Sequence, residues 1–416
     1  MMNTKRLREE SITKTRLGRI GAALALALLL LVIPAAQTGQ AQTFTVLHSF
    51  QGSDGNTPLA GVVRDLAGSL YGTTYSGGAH GYGVVFKIDK HGNETVLYSF
   101  AGGLDGANPY GGLVLDADGN LYGTTETGGY PDCIYGYGCG TVFKINKYRK
   151  YSVLYRFGAM PDGAFPYYVT LLLDGAGNLY GTTSSGGDSN CNPGWGCGTV
   201  FKLDKHGRET ILHSFTGTEQ VDGAIPYAGL VRDAKGDFYS TTSAGGAPGC
   251  YRGCGTVFKL NQTGKETVLH RFSGWLASGP VAGVVRDDAE NIYGVLGGYT
   301  PGYGMAFKLN KWNQETVLFN FSYDDGFPAY GAGLMLDTKG NLYGTSVEGS
   351  NYEGRVFKLD KSGTMTILHN FTGRADGGFP MGTLTMDEEG NLYGIARDGG
   401  NSNCYGGCGV VFKIIP

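Results

Sequence analysis

The sequence has few charges, no long apolar run after its first 41 residues and no fibrous repeat. Only 17% of its 416 residues are charged, and the formal net charge is -3. Nucleic-acid binders cluster Lys and Arg to neutralise phosphates, so this composition predicts no nucleic-acid partner. The 73 glycines show no Gly-X-Y period, which excludes a collagen-like fibre, and 27 Tyr and 20 Phe exclude a disordered polymer. We therefore expect a turn-rich β protein.

The first 41 residues have the layout of a secretory signal peptide. Basic residues precede an apolar run from Ile20 to Ile33, and the small residues Gly39 and Ala41 follow it. The run has 14 residues, fewer than the roughly 20 that cross a bilayer as a helix. We expect cleavage after Ala41, so that residues 1–41 are a signal peptide and residues 42–416 form one domain. The product would be secreted, periplasmic or on the cell surface, without a membrane span.

A repeat of about 50 residues covers the rest of the chain. The phrase Leu-Tyr-Gly-Thr-Thr at 70–74 returns in similar form in every unit. Its tyrosines are Tyr71, Tyr122, Tyr180, Tyr239, Tyr293, Tyr343 and Tyr393. Each unit has four short segments, a to d, rich in β-branched and aromatic residues and bounded by Gly, Asn and Asp, as strands are. Seven such units predict an all-β, seven-bladed β-propeller with four-stranded blades.

The seventh unit has no strand d of its own. The repeat region begins with a d-type strand at 43–50 and ends with a c-type strand at 410–414. We expect these two strands to pair, because this closes the ring and leaves no open sheet edge.

The two faces of the predicted ring differ. Tight turns join strand a to b and c to d, and Asp116 with Gly119 is typical of them. Long, variable, aromatic loops join b to c and d to a on the other face, the loop face, where binding residues tend to lie. Six aromatic residues of this face are our candidate ligand-binding residues: Tyr110, Tyr137, Tyr168, Trp195, Tyr227 and Tyr251.

All eight cysteines fall in b-to-c loops, two in each of four loops. An even number in an exported chain favours disulfides. The predicted pairs are Cys133 with Cys139, Cys191 with Cys197, Cys250 with Cys254, and Cys404 with Cys408. The two cysteines of a loop are spaced Cys-x3-Cys or Cys-x5-Cys, without nearby histidines. This spacing is a weak pattern for metal binding, so we expect no metal site and no cofactor.

No catalytic motif is present, neither Gly-x-Ser-x-Gly nor His-Glu-x-x-His. One position of strand d holds four of the seven histidines, His48, His213, His270 and His369, which indicates packing residues. Six Asp-Gly acids of the d-to-a loops are interpreted as turn formers, because a catalytic acid and base need different surroundings. A lysine follows phenylalanine in every strand c, and we expect it to pair with the glutamate that opens strand d in four of the units. We assign no catalytic residue.

The phrases at 119–125, 140–144 and 105–109 resemble the GloVer-type tandem repeat of the choice-of-anchor family. The similarity covers nearly all of residues 42–416. It implies an exported bacterial protein, and it supplies no activity and no catalytic residues. We therefore expect an exported propeller that binds a glycan or another exported protein through its aromatic loop face. A polysaccharide lyase or hydrolase using loop-face acids and His80, and a structural envelope component, are the alternatives.

Overall fold

The computed structural model describes residues 42–131, 133, 136–217, 222–247, 253–273, 279–298, 303–350 and 352–416. The predicted signal peptide lies outside these residues. All named strands belong to one compact unit, Thr43–Pro416. Within the described residues, no helix is long and apolar enough to span a membrane.

The strands form seven antiparallel sheets, each with the order a-b-c-d, so the predicted seven-bladed propeller is confirmed. The a strands are Val63–Arg64, Val114–Leu115, Leu172–Leu173, Val231–Arg232, Val285–Arg286, Met335–Leu336 and Gly378–Met386. The b strands are Leu70–Thr74, Leu121–Thr125, Leu179–Thr183, Phe238–Thr242, Ile292–Leu296, Leu342–Val347 and Leu392–Asp398. The c strands are Val84–Ile88, Thr141–Ile145, Thr199–Leu203, Thr256–Leu260, Met305–Leu309, Arg355–Leu359 and Val410–Ile415. The d strands are Glu94–Ser99, Tyr151–Arg156, Glu209–Ser214, Glu266–Arg271, Glu315–Asn320, Met365–Asn370 and Thr43–Ser49.

Short extra strands lie on the loop side of three blades. Gly163–Ala164 pairs with Ser185–Gly186, and Gly223–Ala224 pairs with Ala244–Gly245. Phe327–Pro328 extends the sixth blade. These pairings join a d-to-a loop to the end of strand b in the following blade, so both kinds of long loop lie on one face, as predicted.

The predicted closure of the ring is confirmed. Strand Thr43–Ser49 pairs antiparallel with Val410–Ile415, with Phe44 opposite Ile414. The chain ends therefore share the seventh blade, and the outer edge of strand c is covered in all seven sheets.

Pairs of phenylalanines join each blade to the next. The phenylalanine directly after strand d packs edge-on against the phenylalanine of strand c in the following blade, with ring centroids 5.0 to 5.5 Å apart. The seven pairs are Phe50 with Phe86, Phe100 with Phe143, Phe157 with Phe201, Phe215 with Phe258, Phe272 with Phe307, Phe321 with Phe357, and Phe371 with Phe412. Edge-on aromatic pairs contribute about 0.5–1.5 kcal/mol beyond the area they bury, so this ring of contacts explains why one phenylalanine recurs at each of these two positions.

The glycine of Leu-Tyr-Gly-Thr-Thr makes room for the strand c phenylalanine. Gly123 lies opposite Phe143, and a Cβ atom on Gly123 would lie 2.6 Å from Cζ of that ring. The fourth blade has Ser240 at this position. Only small residues therefore fit beneath the ring.

The a-to-b turns are held by their aspartates, which confirms their interpretation as turn formers. Asp116 Oδ1 accepts hydrogen bonds from the backbone N–H groups of Asp118 and Asn120, at 3.0 and 2.8 Å. Its Oδ2 accepts hydrogen bonds from Asn120 Nδ2 at 2.7 Å and from the Tyr122 hydroxyl at 3.0 Å. The turn therefore also fixes the tyrosine of strand b.

The predicted ion pairs between strand c lysines and strand d glutamates are wrong. Each of the seven lysines lies over the strand b tyrosine opposite it, as Lys87 does over Tyr71 at 5.3 Å, which is a cation–π contact. The reason is register: Glu94 lies opposite Ile88, so its side chain is on the other face of the sheet from Lys87. The glutamates face the preceding blade instead.

Three of the predicted disulfides are confirmed. Cys133–Cys139, Cys191–Cys197 and Cys404–Cys408 are bonded, with Cα atoms 5.6, 5.6 and 5.1 Å apart. Cys254 is also disulfide-bonded, and Cys250 lies outside the described residues.

Candidate functional site

Five tyrosines of the loop face form a continuous surface, which we call the channel-mouth cluster: Tyr75, Tyr110, Tyr167, Tyr168 and Tyr227. Tyr110 is central, with its ring centroid 5.2 Å from that of Tyr75, 4.7 Å from that of Tyr167 and 4.4 Å from that of Tyr168. Tyr227 extends the surface, 6.0 Å from Tyr167. The five tyrosines come from the first four blades, so the side of the mouth that these blades form is strongly aromatic.

Two of these tyrosines close the central channel at the loop face. The hydroxyls of Tyr110 and Tyr168 are 3.1 Å apart. Tyr168 has a φ of 52°, in the left-handed region that non-glycine residues rarely adopt, and its ring reaches Gly331 of the sixth blade. A Cβ atom on Gly331 would lie within 2.1 Å of the Tyr168 ring. A cavity of about 210 Å³ lies beneath the pair, lined by inner strands.

Glu126 lies buried behind the cluster. The residue is 8% exposed, and its Oε2 atom has no hydrogen-bond partner. Burial raises the pKa of Glu126, and a hydrogen bond from the Tyr167 hydroxyl partly opposes this rise. Burial and then the Glu126 charge raise the pKa of Tyr75 and Tyr167. A buried carboxylate oxygen without a donor is costly, because it has lost its water. Oε2 lies behind the tyrosine rings with almost no exposed surface.

A fixed ion pair lies on the other side of the mouth. The Arg397 guanidinium donates to both carboxylate oxygens of Asp398, at 2.9 and 2.7 Å, and packs over the Phe379 ring at 4.5 Å. The hydrogen bond to Asp398 raises the pKa of Arg397, which also interacts with Tyr110 and Tyr168. The mouth therefore combines aromatic faces, a buried acid and an oriented cation.

The structure brings together three of the six candidate residues. Tyr110, Tyr168 and Tyr227 belong to the channel-mouth cluster. Tyr137 lies in the b-to-c loop of the second blade and is 72% exposed. Trp195 lies in the b-to-c loop of the third blade, and its ring centroid is 6.2 Å from that of Phe165. Both lie outside the cluster, and Tyr251 lies outside the described residues.

The sequence analysis missed the residues that give the mouth its charge and part of its aromatic surface. Tyr75, Glu126 and Arg397 occupy one repeat position, directly after the third residue of the Gly-Thr-Thr phrase. Across the units this position holds Tyr75, Glu126, Ser184, Ser243, Gly297, Val347 and Arg397. Its variability was the available signal, and it was overlooked because the position lies at the end of a strand and not within a loop.

The Asp-Gly acids of the loop face hold their own turns. Asp105 Oδ2 accepts hydrogen bonds from the Tyr98 hydroxyl at 2.8 Å and from the backbone N–H of Ala101 at 2.9 Å. Asp162 receives the same pair of bonds from Tyr155 and Gly158. These carboxylates lie one to a blade interface, so among the described residues no two of them face each other.

A larger cavity, about 1160 Å³, opens among strands a of the fourth to sixth blades, towards the tight turns. Its polar side chains belong to repeated contacts. Arg286 lies over Tyr239 at 4.0 Å, and Asp337 accepts hydrogen bonds from its own turn. Arg286 also lies 3.8 Å from Asp233, although its Nε atom is buried without a hydrogen-bond partner. We take the channel mouth as the candidate site because its aromatic rings form one continuous surface.

A family model described as the Gloeobacter/Verrucomicrobia repeat matches the chain three times, over residues 36–252, 135–297 and 235–416. The chain belongs to this repeat family. None of the curated proteins is a significant match to this Gloeobacter/Verrucomicrobia repeat chain.

Two solved structures are similar to this repeat chain. It is similar to the extracellular domain assigned to a one-component system of B. thetaiotaomicron, with 11% identity and a TM-score of 0.53, over 88% of this chain and 39% of that one. It is also similar to a protein from Bacteroides fragilis assigned as a 6-phosphogluconolactonase, with 18% identity and a TM-score of 0.49, over 82% and 88%. At such identities the likeness concerns the fold alone, and the repeat chain spans about two fifths of the first structure.

Proposed function

We propose that this repeat protein is an exported carbohydrate-binding propeller that holds its ligand at the channel-mouth cluster. The observation that carries the proposal is the buried Oε2 atom of Glu126, which has no donor and lies behind a continuous tyrosine surface. The site has the two parts that sugar recognition needs.

The tyrosine surface supplies the apolar part. The C–H face of a pyranose ring packs on the apolar faces of aromatic side chains such as tyrosine. Tyr110, Tyr167 and Tyr227 are half-buried in a row, with neighbouring centroids 4.7 and 6.0 Å apart. Such a row is long enough for more than one sugar unit, so the proposed ligand is an oligosaccharide.

Glu126 supplies the polar part. If a tyrosine ring of the cluster turns aside on binding, a sugar hydroxyl can donate to Oε2 and satisfy the oxygen that the folded chain leaves without a partner. Hydrogen bonds to a charged group contribute about 1.5–3 kcal/mol, so this one contact gives specificity for a hydroxyl-bearing ligand.

Two features support export. Disulfides persist in oxidising compartments and are rare in the cytosol, and three lie in the loops of this chain. The structural neighbour from B. thetaiotaomicron is an extracellular domain.

The test is a binding screen of the purified protein against soluble oligosaccharides and polysaccharides, by thermal shift and then by calorimetry. A ligand of the native state raises the melting temperature by mass action. For the glycan that binds, we expect Glu126→Gln to weaken affinity about 10- to 100-fold. Tyr110→Ala should weaken it as well.

The matched control is Tyr137→Ala, which removes an exposed tyrosine of the same face outside the cluster. Equal losses in Tyr137→Ala and Tyr110→Ala would contradict the location of the site. If no glycan binds, a protein ligand or a structural role takes the place of this proposal. A product assay on any glycan that binds tests the lyase or hydrolase alternative.

A further inference from the structure

A histidine, an aspartate and a glutamate converge at two blade interfaces. One group is His48, Asp54 and Glu94, between the seventh and first blades; the other lies between the third and fourth. The second group consists of His213, Asp222 and Glu266. In each group one imidazole nitrogen and one oxygen of each carboxyl lie within 4.8 Å of one another. We call these groups the interface triads.

The spacing of the ligand atoms suits a metal ion. His48 Nε2 is 3.0 Å from Asp54 Oδ2, and His213 Nε2 is 3.5 Å from Asp222 Oδ2. Nitrogen and oxygen ligands lie about 2.0–2.2 Å from Zn²⁺ in tetrahedral geometry, which places ligand atoms about 3.3 Å apart. The triads need only small side-chain adjustments to reach this arrangement.

Buried atoms of the triads lack partners. Glu94 Oε1 and Glu266 Oε1 are buried, and neither has a hydrogen-bond partner. His213 Nε2 is buried as well, and its contact with Asp222 Oδ2 is long, at 3.5 Å. Buried polar atoms are almost always satisfied by protein or by water. Each triad therefore contains a buried carboxylate oxygen that a bound cation would satisfy.

Backbone groups hold the aspartates in position. Asp54 Oδ1 accepts a hydrogen bond from the Gln51 N–H at 2.7 Å. Asp222 accepts hydrogen bonds from the N–H groups of Thr216 and Gly223, at 2.8 and 2.7 Å. Outer contacts of this kind orient ligating carboxylates in metal sites.

We propose that each interface triad binds one divalent metal ion of the Zn²⁺ class through its imidazole nitrogen and two carboxylate oxygens, with water as a fourth ligand. Nitrogen and carboxylate ligands are suited to Zn²⁺, and two carboxylates balance its charge. In each triad the histidine and the glutamate come from the outer strands of adjacent blades. The ion would therefore join neighbouring blades, in one case at the blade that closes the ring.

The other interfaces replace a ligand, so the proposal gives a stoichiometry of two. Between the second and third blades, Tyr155 replaces the histidine beside Asp162 and Glu209. Its hydroxyl donates a hydrogen bond to Asp162 at 2.8 Å. Between the sixth and seventh blades, the histidine and the aspartate are kept, with His369 Nε2 3.1 Å from Asp376 Oδ2. There Phe44 stands in place of the glutamate, stacked on His369 at 3.7 Å.

Three further interfaces also lack a complete triad. Between the fifth and sixth blades, Phe319 and Met365 replace the histidine and the glutamate. Tyr98 stacks on Tyr151 at 3.7 Å, so neither the histidine nor the glutamate is present. His270 and Glu315 lie 3.2 Å apart. The aspartate of that unit is replaced by Ser278, which lies outside the described residues.

The experiment titrates chelator-treated protein with Zn²⁺ by calorimetry. We expect two high-affinity sites per chain. His48→Tyr and His213→Tyr should each remove one site, and the double variant should remove both. Tyrosine occurs naturally at this position in the second blade and keeps the bond to aspartate, so these variants retain the fold. Circular dichroism and the melting curve without metal check this.

The matched control is His369→Tyr, which changes an equivalent histidine that faces no glutamate and should leave two sites. Glu94→Gln and Glu266→Gln provide a second route, because each removes a charged ligand at constant shape and should abolish one site. Zn²⁺ should raise the melting temperature of the wild type and not that of the double variant. Absence of saturable Zn²⁺ binding, or a stoichiometry that the double variant leaves unchanged, would overturn the proposal.

Discussion

Glu209 allows a sharp test of the energetics of the blade interfaces. It lies between the second and third blades, where no histidine is present, and its Oε1 atom is buried without a partner. Burial, and then the charge of Asp162, raises the pKa of Glu209 from 4.5 to about 7. Asp162 already accepts hydrogen bonds from Tyr155 and Gly158. Glu209 therefore carries its proton in the folded chain at mildly acidic pH.

The sign of the effect follows from the two pKa values. The unfolded chain releases this proton near pH 4.5, whereas the folded chain keeps it until about pH 7. The free energy of unfolding therefore falls as the pH rises between these values. A pKa difference of about 2.5 corresponds to about 3 kcal/mol at most. Because the carboxyl is partly exposed to water, we expect a loss of about 1–2 kcal/mol.

Glu209→Gln should remove this loss, because the neutral amide imitates the protonated acid and can donate to Asp162. The variant and the wild type should have similar stability at pH 4.5, and the variant should be more stable by about 1–2 kcal/mol at pH 8. Urea denaturation at pH 4.5, 6, 7 and 8 with a chelator present, followed by tryptophan fluorescence, measures this. Glu388→Gln, at an exposed turn, controls for the lost charge. A stability difference that does not change with pH would refute the reasoning.

Three further predictions concern the scaffold. Phe100→Ala empties a fully buried position against Phe143 and should lower the free energy of unfolding by about 3–5 kcal/mol in urea titrations. A loss under 1 kcal/mol would contradict the stabilising role of the phenylalanine pairs between blades. Deleting residues 43–49 uncovers strand Val410–Ile415 and should produce oligomers or aggregates in size-exclusion chromatography, whereas a stable monomer would show that closure is dispensable. Replacing Cys191 and Cys197 by Ser opens a loop with a sequence separation of 6 and should cost about 2 kcal/mol in thermal or urea unfolding; no change would mean that the bond only restrains the loop.

The fold could be predicted because each unit repeats the same local signals. Short β-rich segments between Gly, Asn and Asp were enough to place four strands in a unit, and the permuted chain ends were enough to predict closure. The packing that explains the repeat could not be predicted in the same way. The edge-on contact of Phe50 with Phe86 joins residues of two blades, and sequence periodicity does not show which faces of neighbouring sheets meet.

The predicted ion pairs between strand c lysines and strand d glutamates were wrong because of the register of the two strands. Lys87 and Glu94 were expected to meet because both lie near the same hairpin. The pairing of Ile88 with Glu94 puts the two charges on opposite faces of the sheet. A shift of one residue in an antiparallel pair reverses the face of every side chain, and the sequence alone did not specify the register.

The candidate site was predicted in part for a related reason. Tyr110, Tyr168 and Tyr227 were recognised because they lie in aromatic loops. Glu126 was not, because a residue directly after the strand b phrase Gly-Thr-Thr has no sequence feature that separates it from the scaffold. Assembly of the ring brings Tyr75, Glu126 and Arg397 to one mouth, and only there do the differences at this position form a candidate site.

The seven units provide an internal comparison that separates scaffold from function. Positions that recur in nearly every blade, such as the strand c phenylalanine and the turn aspartate, have the same contacts each time. The position after Gly-Thr-Thr differs in most blades, with Tyr75, Glu126 and Arg397 among its occupants. A ring needs seven equivalent supports, but an asymmetric ligand needs different groups around one mouth. Divergence at a position that faces the channel is therefore better evidence of binding than the aromatic content of the outer loops.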